Sequence, residues 1–547
     1  MADTTKRQPQ AVTAFFDNVQ NVTKGGGASA DALKESPIKV PAVVDTMLGK
    51  LPEKSHSMVL DSVTAGMQKY EREHGFAPDG VTVEAVLSTV LNNMSPLADL
   101  VPSSSRLDSA SATHHDQLSL HPSMVMVSIM QMMGEMVPWA GYLPTDAKSN
   151  EGRIAIITPQ ARSNFGDYVD GQAINGVLGG GAYMTSQRLV NLSLAGGAGP
   201  FTFQVTAQSI GAVTTANPAA PLLRGRSVVL VNGLPSASDV SNGGSGSGNS
   251  TIAGSATVAS TSYAISGTVN TDTGAISITS APALPAGVRV DILVYVDFEK
   301  APLLAPKIGM NADIYKLFAY PTRCLVGNTV DAYNQMQLEL NLDPRSQALL
   351  AVRNQYNQER HYRALALMKL VAANLVDTWA YDWTTREQQM NRAQIFNDLA
   401  PVIAGLSQKM ANVTTDHGIT HLYVTGELAA QIRGLPSTLF ESSGLVNRPG
   451  IYRLGRLFNL YEVYYTPIGL TETGGGTTSQ VLCIGMSQDT ARNPMLFGDA
   501  VAPIFLPIAM GQDMVYQDGF YTRAFTELNP HLPSAQGAAL INVTGIK

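Results

Sequence analysis

Residues 343–382 read DPRSQALLAVRNQYNQERHYRALALMKLVAANLVDTWAYD and carry a long helical pattern. Asp343 can accept a hydrogen bond from the first free backbone N–H groups of a helix, and the fixed φ angle of Pro344 suits the first helical position. Because no glycine and no further proline interrupts the stretch, it predicts one helix of roughly 55–60 Å at about 1.5 Å per residue. Its apolar positions, at steps of three and four, are Leu349, Val352, Tyr356, Leu365, Met368, Val371, Leu375 and Trp379.

A helix of this length has two interpretations. It is either a core helix of one large globular protein or a helix that carries two separate sheets. Strand patterns stand on both sides of it in the chain, and this favours the second interpretation.

The composition restricts the class of protein. Charged residues make up only 14% of the 547 residues, against about 25% in ordinary soluble domains. The surface is therefore either covered by serine, threonine and glycine or buried by partners. The net charge of −7 provides no basic footprint for tight binding of nucleic acid. Two cysteines, Cys324 and Cys483, indicate a reducing cytosol, and their apolar strand contexts predict that both are buried.

The sequence contains no segment typical of a signal peptide or of a membrane span. The N-terminal MADTTKRQPQ is polar, and the methionine-rich segment at residues 124–139 is too short for a span and contains Glu135. We expect a soluble intracellular product without a membrane partner, whose methionine-rich segment packs as a helix on a partner surface.

The N-terminal region predicts an arm followed by two short helices. Residues 1–40 are polar and predict a flexible arm. The first helix should end at Gly75 and the second before Pro96. Their apolar positions are Val59, Val63, Met67 and Tyr70, then Val83, Val86, Leu87, Val90, Leu91 and Met94.

From Arg153 the period of the pattern changes to two, which predicts half-buried strands. We expect one strand at residues 257–270, a turn at residues 271–274 and a flexible loop at residues 241–250. Together these strands predict a small all-β module inserted before the long helix.

After the long helix the pattern alternates between helices and strands. Residues 385–413 carry a second helical pattern, and residues 420–435 predict a strand that runs directly into a helix. Further strands are expected at residues 456–469, 479–487 and 495–530. The whole chain is predicted to be an α+β protein whose sheets are formed from distant parts of the sequence.

Candidate catalytic and metal-binding residues are sparse. His114, His115 and Asp116 could ligate zinc or manganese, but no second cluster stands at ligand spacing. His417 and His421 are four apart, yet the residues between them predict a loop-to-strand junction, where helical spacing has no meaning. Neither a phosphate-binding loop with its lysine nor a nucleophile elbow occurs. We therefore predict no enzymatic activity, no cofactor and no metal site.

The order of these elements resembles the major capsid proteins of tailed bacteriophages, which share the Hong Kong 97-like fold. It is most similar to the T-even-like branch, which carries an inserted domain. In that family an N-terminal arm leads to an extended loop, a long spine helix, an apical α/β domain and returning strands. The similar stretches are ISGTVNTDTGAISIT (265–279), VRVDILVYVDFEKAPLLAPKI (288–308), LELNLDPRSQALLAVRNQYNQERH (338–361), THLYVTGELAAQIRGL (420–435), RLFNLYEVYYTPIG (456–469) and MLFGDAVAPIFLPIAMGQDMVYQDGFYTRAFTELNP (495–530).

The resemblance implies a layout of six parts. These are an arm with short helices (1–120), the start of a peripheral domain with the extended loop (121–195), a β-rich insertion domain (196–300), the peripheral domain with the spine helix (301–410), an apical domain (411–500) and returning strands with a C-terminal tail (501–547).

The resemblance also implies a function and a set of partners. The chain would be a virion structural protein that self-assembles as pentamers and hexamers into the icosahedral head of a tailed phage, in the host bacterial cytoplasm. Scaffold, portal, decoration and maturation protease proteins are the implied protein partners. The packaged double-stranded DNA would be met by weak, non-specific contact, as the acidic balance indicates.

Two further expectations depend on the same resemblance. Maturation proteases of related phages cut after Leu/Ile-x-Glu, so Leu33-Lys34-Glu35 and Leu51-Pro52-Glu53 make Glu35 and Glu53 candidate processing sites. The covalent cross-link found in part of the family needs a lysine in the extended loop. Residues 149–299 contain no lysine, so we expect no such cross-link.

Two other classes of protein compete with this interpretation. A β-rich phage decoration, tail or adhesin protein would account for the strand-rich insertion, but not for the single long helix and the α/β unit after it. A cytosolic hydrolase would need a nucleophile and a base at suitable spacing, and the sequence offers no such pair.

Overall fold

The computed structural model describes residues 14–16, 40–49, 53–100, 136–145, 149–212, 218–242, 248–340, 344–473, 477–508 and 515–546. The fold is α+β, as predicted, and it divides into two compact units. The first unit comprises Met1–Ile156 and Asp313–Lys547, and the second comprises Ile157–Ala312. Within the described residues, no helix is both long and apolar enough to cross a lipid bilayer.

Among the described residues, the only helical elements of the second unit are short 3₁₀ turns, and the α-helices of four or more residues all belong to the first unit. In chain order they are α1 (Ala42–Gly49), α2 (Glu53–His74), α3 (Gly80–Leu100), α4 (Val330–Leu340), α5 (Pro344–Ala372), α6 (Trp383–Arg386), α7 (Arg392–Asn397), α8 (Leu399–Thr414), α9 (Gly426–Arg433) and α10 (Leu532–Ala535).

The strands are divided between the two units. In chain order they are β1 (Gly141–Tyr142), β2 (Glu151–Ala161), β3 (Gln187–Ser193), β4 (Phe201–Gln204), β5 (Val228–Val231), β6 (Leu234–Asp239), β7 (Asn249–Val258), β8 (Thr261–Asn270), β9 (Ala275–Ala281), β10 (Val290–Tyr295), β11 (Ile308–Phe318), β12 (Tyr320–Thr329), β13 (Val376–Ala380), β14 (Ile419–Val424), β15 (Phe440–Ser442), β16 (Tyr452–Leu457), β17 (Tyr461–Tyr465), β18 (Thr478–Gly485), β19 (Met495–Ile508), β20 (Val515–Leu528) and β21 (Ala538–Thr544).

The first unit contains two sheets of its own. Four strands are ordered β1-β19-β20-β12, and seven are ordered β13-β21-β18-β14-β17-β16-β15. The predicted strand and helix at residues 420–435 are confirmed as β14 followed by α9, and residues 495–530 form the two long strands β19 and β20. The single helical pattern predicted at residues 385–413 is wrong in part, because it divides into the end of α6, all of α7 and most of α8.

The long helix α5 is shorter than predicted. It spans Pro344–Ala372, 29 residues or about 43 Å, and does not continue to residue 382. Residues 376–380 form β13 instead, which pairs in parallel with β21. The reason is local propensity combined with pairing, because Val376, Thr378 and Trp379 favour a strand and β21 offers backbone partners along that whole length. Trp379 is therefore buried in a different core from the helix.

The helix α5 contacts both sheets of the first unit. It is adjacent to β18 and β21 of the seven-stranded sheet and to β12, β19 and β20 of the four-stranded sheet. The side chains Ala364, Leu365, Met368 and Ala372 are buried in one core with Leu482 and Leu540 from one sheet and Met495 and Phe497 from the other. This arrangement confirms the interpretation that the helix carries two sheets.

The helices α2 and α3 pack into the same core. All four predicted apolar positions of α2 are buried, and α2 ends at Gly75, whose φ of +79° suits glycine. The prediction that the second helix stops before Pro96 is wrong, because α3 runs to Leu100. Burial of Val86, Leu87 and Val90 anchors the helix and outweighs the local cost of an interior proline.

The second unit contains an eight-stranded sheet in the order β3-β10-β5-β6-β7-β8-β9-β4, with antiparallel pairing throughout. Its end strands β3 and β4 also contact each other, so the sheet curls around its own apolar core. The chain enters this unit along β2 and leaves it along β11, and these two strands pair with each other.

Two predictions in this unit need correction. The single strand expected at residues 257–270 is a hairpin, because Ala259 and Ser260 have positive φ angles and turn the chain between β7 and β8. Residues 187–193, expected in an extended loop, form β3, since the alternating side chains of QRLVNLS allow pairing with β10. The turn at residues 271–274 is confirmed, and the amide of Gly274 donates to the carbonyl of Asn270 over 2.9 Å.

A pair of substitutions on α5 tests which face of the helix is buried. Met368 is fully buried, whereas Leu370 is 71% exposed. We expect Met368→Ala to lower the free energy of unfolding by about 2–5 kcal/mol, because it leaves a cavity between two sheets. The matched control Leu370→Ala should cost about 0.5 kcal/mol or less. Urea denaturation followed by circular dichroism measures both, and equal losses would contradict the assigned face.

Candidate assembly surface

The described side chains of residues 313–351 include several large apolar groups that are exposed. This stretch comprises the second half of β11, all of β12, α4 and the first turns of α5. The helix α4 is adjacent to both β12 and α5, and α5 is adjacent to β12, so these three elements lie together, and β11 precedes β12 directly in the chain. We call the exposed side chains of residues 313–351 the assembly surface.

The strand β12 lies at the edge of the four-stranded sheet. In the described part of the chain it pairs only with β20, in an antiparallel ladder from Tyr320 opposite Ala524 to Thr329 opposite Val515. Leu325 on this strand is 70% exposed. A long edge strand offers unpaired backbone groups to another chain, and natural proteins usually cover such an edge or place charges on it.

The strand β11 carries apolar side chains on both of its faces. Ile314 and Phe318 are exposed, whereas Leu317 is buried and Asp313 and Tyr315 are partly covered. In a strand with one face on the core of its own chain, the apolar residues should point inward. The exposed Ile314 and Phe318 therefore give the outer face an apolar character that is typical of an interaction surface.

The described side chains of α4 are almost all exposed. Four consecutive residues, Gln335 to Leu338, are all exposed, and four consecutive helical positions cover most of the circumference at 3.6 residues per turn. Leu338 is 83% exposed, and Met336 is exposed beside it. Single exposed apolar residues are normal, but a run of adjacent elements that exposes six large ones marks an interaction site. The six are Ile314, Phe318, Leu325, Met336, Leu338 and Leu350.

The two halves of α5 differ in burial. Among the described side chains, none between residues 347 and 363 is buried, and the buried positions begin at Ala364. In the middle, Arg360 forms an ion pair with Asp499 of β19 over 2.9 Å and lies over the ring of Phe497 at 4.9 Å. The helix is therefore fixed at its middle and C-terminal half, while its N-terminal half faces outward beside α4.

Sequence analysis missed the assembly surface. Within residues 309–337 it indicated only the apolar strand context of Cys324, and it placed neither β11 nor α4. A sequence pattern cannot indicate which face of such an element a partner covers.

The two cysteines lie in different environments. Cys483 is fully buried in β18, and burial raises the pKa of its thiol, as expected of an inert core residue. Cys324 is exposed on β12, so the prediction that both cysteines are buried is wrong. The apolar neighbours of Cys324 in the sequence belong to an edge strand. The described part of this chain does not cover the Cys324 side chain.

Of the other predicted site residues, only Glu53, His417 and His421 lie in the part of the chain that the structure describes. Glu35 and the cluster His114, His115 and Asp116 lie outside the described residues, and Glu53 is the first residue of α2. His417 is in a loop, where its Nδ1 is 3.2 Å from an Oδ2 of Asp416, and His421 is in β14, as the predicted loop-to-strand junction requires. Among the described residues, no three histidine, cysteine or acidic side chains are grouped to hold a metal.

Two histidines, the buried His74 and the partly buried His361, lie where α2, α5 and the seven-stranded sheet meet. The Nδ1 of His74 is 3.0 Å from the hydroxyl of Tyr464, and the Nε2 of His361 is 3.1 Å from the hydroxyl of Tyr423. The indole N–H of Trp139 also donates to the Tyr423 hydroxyl, over 2.8 Å. Burial lowers the pKa of His74 to about 3 and that of His361 to about 4, so both rings are neutral near pH 7.

No family model and no curated protein matches the sequence. Solved structures match it at low identity. The icosahedrally averaged capsid of the jumbo bacteriophage PhiKZ has a TM-score of 0.38 and 10% identity, over 74% of this chain and 92% of that chain. The SrpI encapsulin complex of Synechococcus elongatus has a TM-score of 0.29 and 9% identity, over 44% and 79% of the two chains. The capsid of Myoviridae phage XM1 has a TM-score of 0.29 and 13% identity, over 44% and 78%.

The lowered pKa values of His74 and His361 predict that the chain loses stability in acid. Their pKa values are about 3 and about 4 in the folded chain and about 6.5 when unfolded, so between pH 6.5 and pH 4 only the unfolded chain binds these protons. The free energy of unfolding should therefore fall as the pH falls, by roughly 1.4 kcal/mol per pH unit for each histidine.

Urea denaturation at a series of pH values between 7.5 and 4.5 measures this slope. The variant His74→Gln with His361→Gln keeps hydrogen-bonding groups at both positions but cannot titrate, so its slope should be smaller by about two protons. An unchanged slope in the double variant would contradict the assignment of His74 and His361 as neutral in the folded chain near pH 7.

Proposed function

We propose that the chain is the major capsid protein of a tailed bacteriophage, which self-assembles as pentamers and hexamers into the icosahedral head around double-stranded DNA. The observation that carries the proposal is the assembly surface, because an edge strand and a helix whose described side chains are mostly exposed lie together in one unit. Such a surface is typical of a chain that binds another chain in its working state.

A second copy of the same chain is the partner that this surface fits best. Closed symmetric assembly of identical subunits is the usual way in which a chain buries a surface of this kind, and each copy then supplies one side of every contact. The low fraction of charged residues, 14%, agrees with a chain whose surface is largely covered in its working state.

The proposed layout follows the T-even-like branch of the Hong Kong 97-like family. In it, α5 is the spine helix, the seven-stranded sheet with α7, α8 and α9 forms the apical domain, and the four-stranded sheet belongs to the peripheral domain. The second unit, Ile157–Ala312, is the inserted domain. The extended loop would then come from the residues about β2 and β11, because β3 belongs to the sheet of the inserted domain.

Other partners are proposed on the same basis. Scaffold, portal and decoration proteins would meet the assembled shell, and packaged DNA would touch it by weak, non-specific contact. Cleavage by a maturation protease after Glu53 would leave α2 almost whole, since α2 begins at that residue. Cleavage after Glu35 would remove a shorter piece of the arm.

A decoration, tail or adhesin protein is the second candidate, favoured by the eight-stranded sheet of the second unit. Such a protein would not need α5, a helix that holds two further sheets together in the larger unit. This feature supports the capsid proposal over the alternative.

The proposal is tested by expressing the full chain alone and examining it by electron microscopy beside analytical ultracentrifugation. We expect shells, tubes, or rings of five and six subunits, because the assembly surface is present without any other protein. Trimeric fibres would contradict the capsid role and favour a tail or adhesin protein. If the product is a monomer, the chain is co-expressed with the scaffold protein of the same phage. A monomer in that experiment too would contradict the proposed capsid role.

A substitution within the assembly surface separates assembly from folding. Leu338→Glu places a charge on a side chain that is 83% exposed, so it should change the free energy of unfolding by no more than about 0.5 kcal/mol. It should nevertheless abolish assembly, because a buried unpaired carboxylate would be left at the subunit contact.

The matched control is Val446→Glu, at a side chain that is also 83% exposed but lies outside the assembly surface. Sedimentation velocity should find particles for the control and small species for Leu338→Glu. Assembly of both variants to the same extent would exclude α4 from the subunit contact.

A further inference from the structure

A polar cavity of about 330 Å³ lies in the first unit, where α2 and α5 meet the loop that leads into β16. Its volume lies within the range of small-molecule sites, about 300–1,000 Å³. The helix α2 contributes Lys69, Glu73 and His74, and α5 contributes Asn354, Asn357, Gln358 and His361. The loop and β16 contribute residues 448–453, and β17 contributes Tyr464.

The charged side chains of the cavity are mostly cations. Lys69, Arg448 and Arg453 line it, against the single carboxylate of Glu73. Arg453 is held in place by Glu462 of β17, whose Oε2 is 2.6 Å from the Arg453 Nε. Arg448 is 3.7 Å from Glu73, longer than a close hydrogen-bonded ion pair. This excess of positive charge stands in a chain whose net charge is −7.

The uncharged lining also favours an anion. The side-chain amides of Asn354, Asn357 and Gln358 follow one face of α5 and can each donate two N–H groups. Gly450, with a φ of +94°, brings the loop so close to α5 that a Cβ atom there would be 3.6 Å from the Nε2 of Gln358. The cavity therefore combines cationic and neutral donors around one volume that is open to solvent on one side.

We propose that this cavity binds a phosphate group, held by Lys69 and Arg448 at its open side and by the amides of α5. A tetrahedral oxyanion accepts several hydrogen bonds at once, and arginine and lysine are the side chains that proteins use for it. This site is separate from the assembly surface, so its occupancy does not depend on the proposed function. The phosphate group can come from a small polyphosphate or from the backbone of DNA.

Isothermal titration of the full chain with inorganic tripolyphosphate tests the proposal. We expect saturable binding to the wild type and about tenfold weaker binding to each of Lys69→Gln and Arg448→Gln, as loss of one charge-assisted hydrogen bond predicts. The control Arg72→Gln removes a cation from the exposed side of the same helix, outside the cavity, and should leave the affinity within about twofold of the wild type.

A substitution that should strengthen binding distinguishes an effect on the site from a folding defect. Glu73→Gln removes the only carboxylate of the lining and should tighten binding severalfold, which a damaged fold cannot do. A short DNA duplex at equal phosphate concentration tests whether DNA supplies the phosphate group. If the duplex displaces tripolyphosphate, DNA binds at this site. The proposal is overturned by the absence of saturable binding, or by equal affinities of the Lys69, Arg448 and Arg72 variants.

Discussion

The packing of the C-terminal half of α5 between two sheets is the contact on which the first unit depends. Ala364 and Ala372 are fully buried, and their small side chains let the helix backbone come close to the strands. Leu365 and Met368 fill the space between them. Because both sheets meet this one helix, and α2 and α3 join the same core, a loss of packing here would separate elements that come from distant parts of the chain.

The same helix explains how folding and function are divided along the chain. Its C-terminal half is held by apolar packing, and Arg360 fixes its middle to Asp499 on β19. Its N-terminal half buries none of its described side chains and lies beside α4 and β12. One copy can therefore be fully folded while its assembly surface is still not covered by a second copy.

Much of the fold could be predicted from the sequence because local patterns and packing agree. The period of α2 predicted its buried face at Val59, Val63, Met67 and Tyr70, and the strand running into α9 was predicted at residues 420–435. Predictions failed where a distant partner decided the outcome. The end of α5 depends on β21, which is more than 150 residues away in the chain.

The candidate site was harder to predict than the fold, for a physical reason. Cys324, Ile314 and Phe318 have the apolar context of core residues, and only the structure reveals that they are exposed. A sequence pattern indicates that a face avoids water but not whether its own chain or a neighbour covers it. The cations of the polar cavity come from α2 and from the stretch that leads into β16, which are far apart in the sequence, so no local motif could have brought them together.

Cys324 provides the most direct test of the central claim, that the assembly surface is covered by a second copy. A thiol-reactive maleimide should label Cys324 rapidly in the dissociated chain and slowly in assembled particles, as counted by mass spectrometry. Cys483, which is fully buried, should stay unlabelled in both and serves as the internal control. Equal labelling of Cys324 in the two states, with Cys483 protected, would show that β12 remains open in the assembly and would contradict the account.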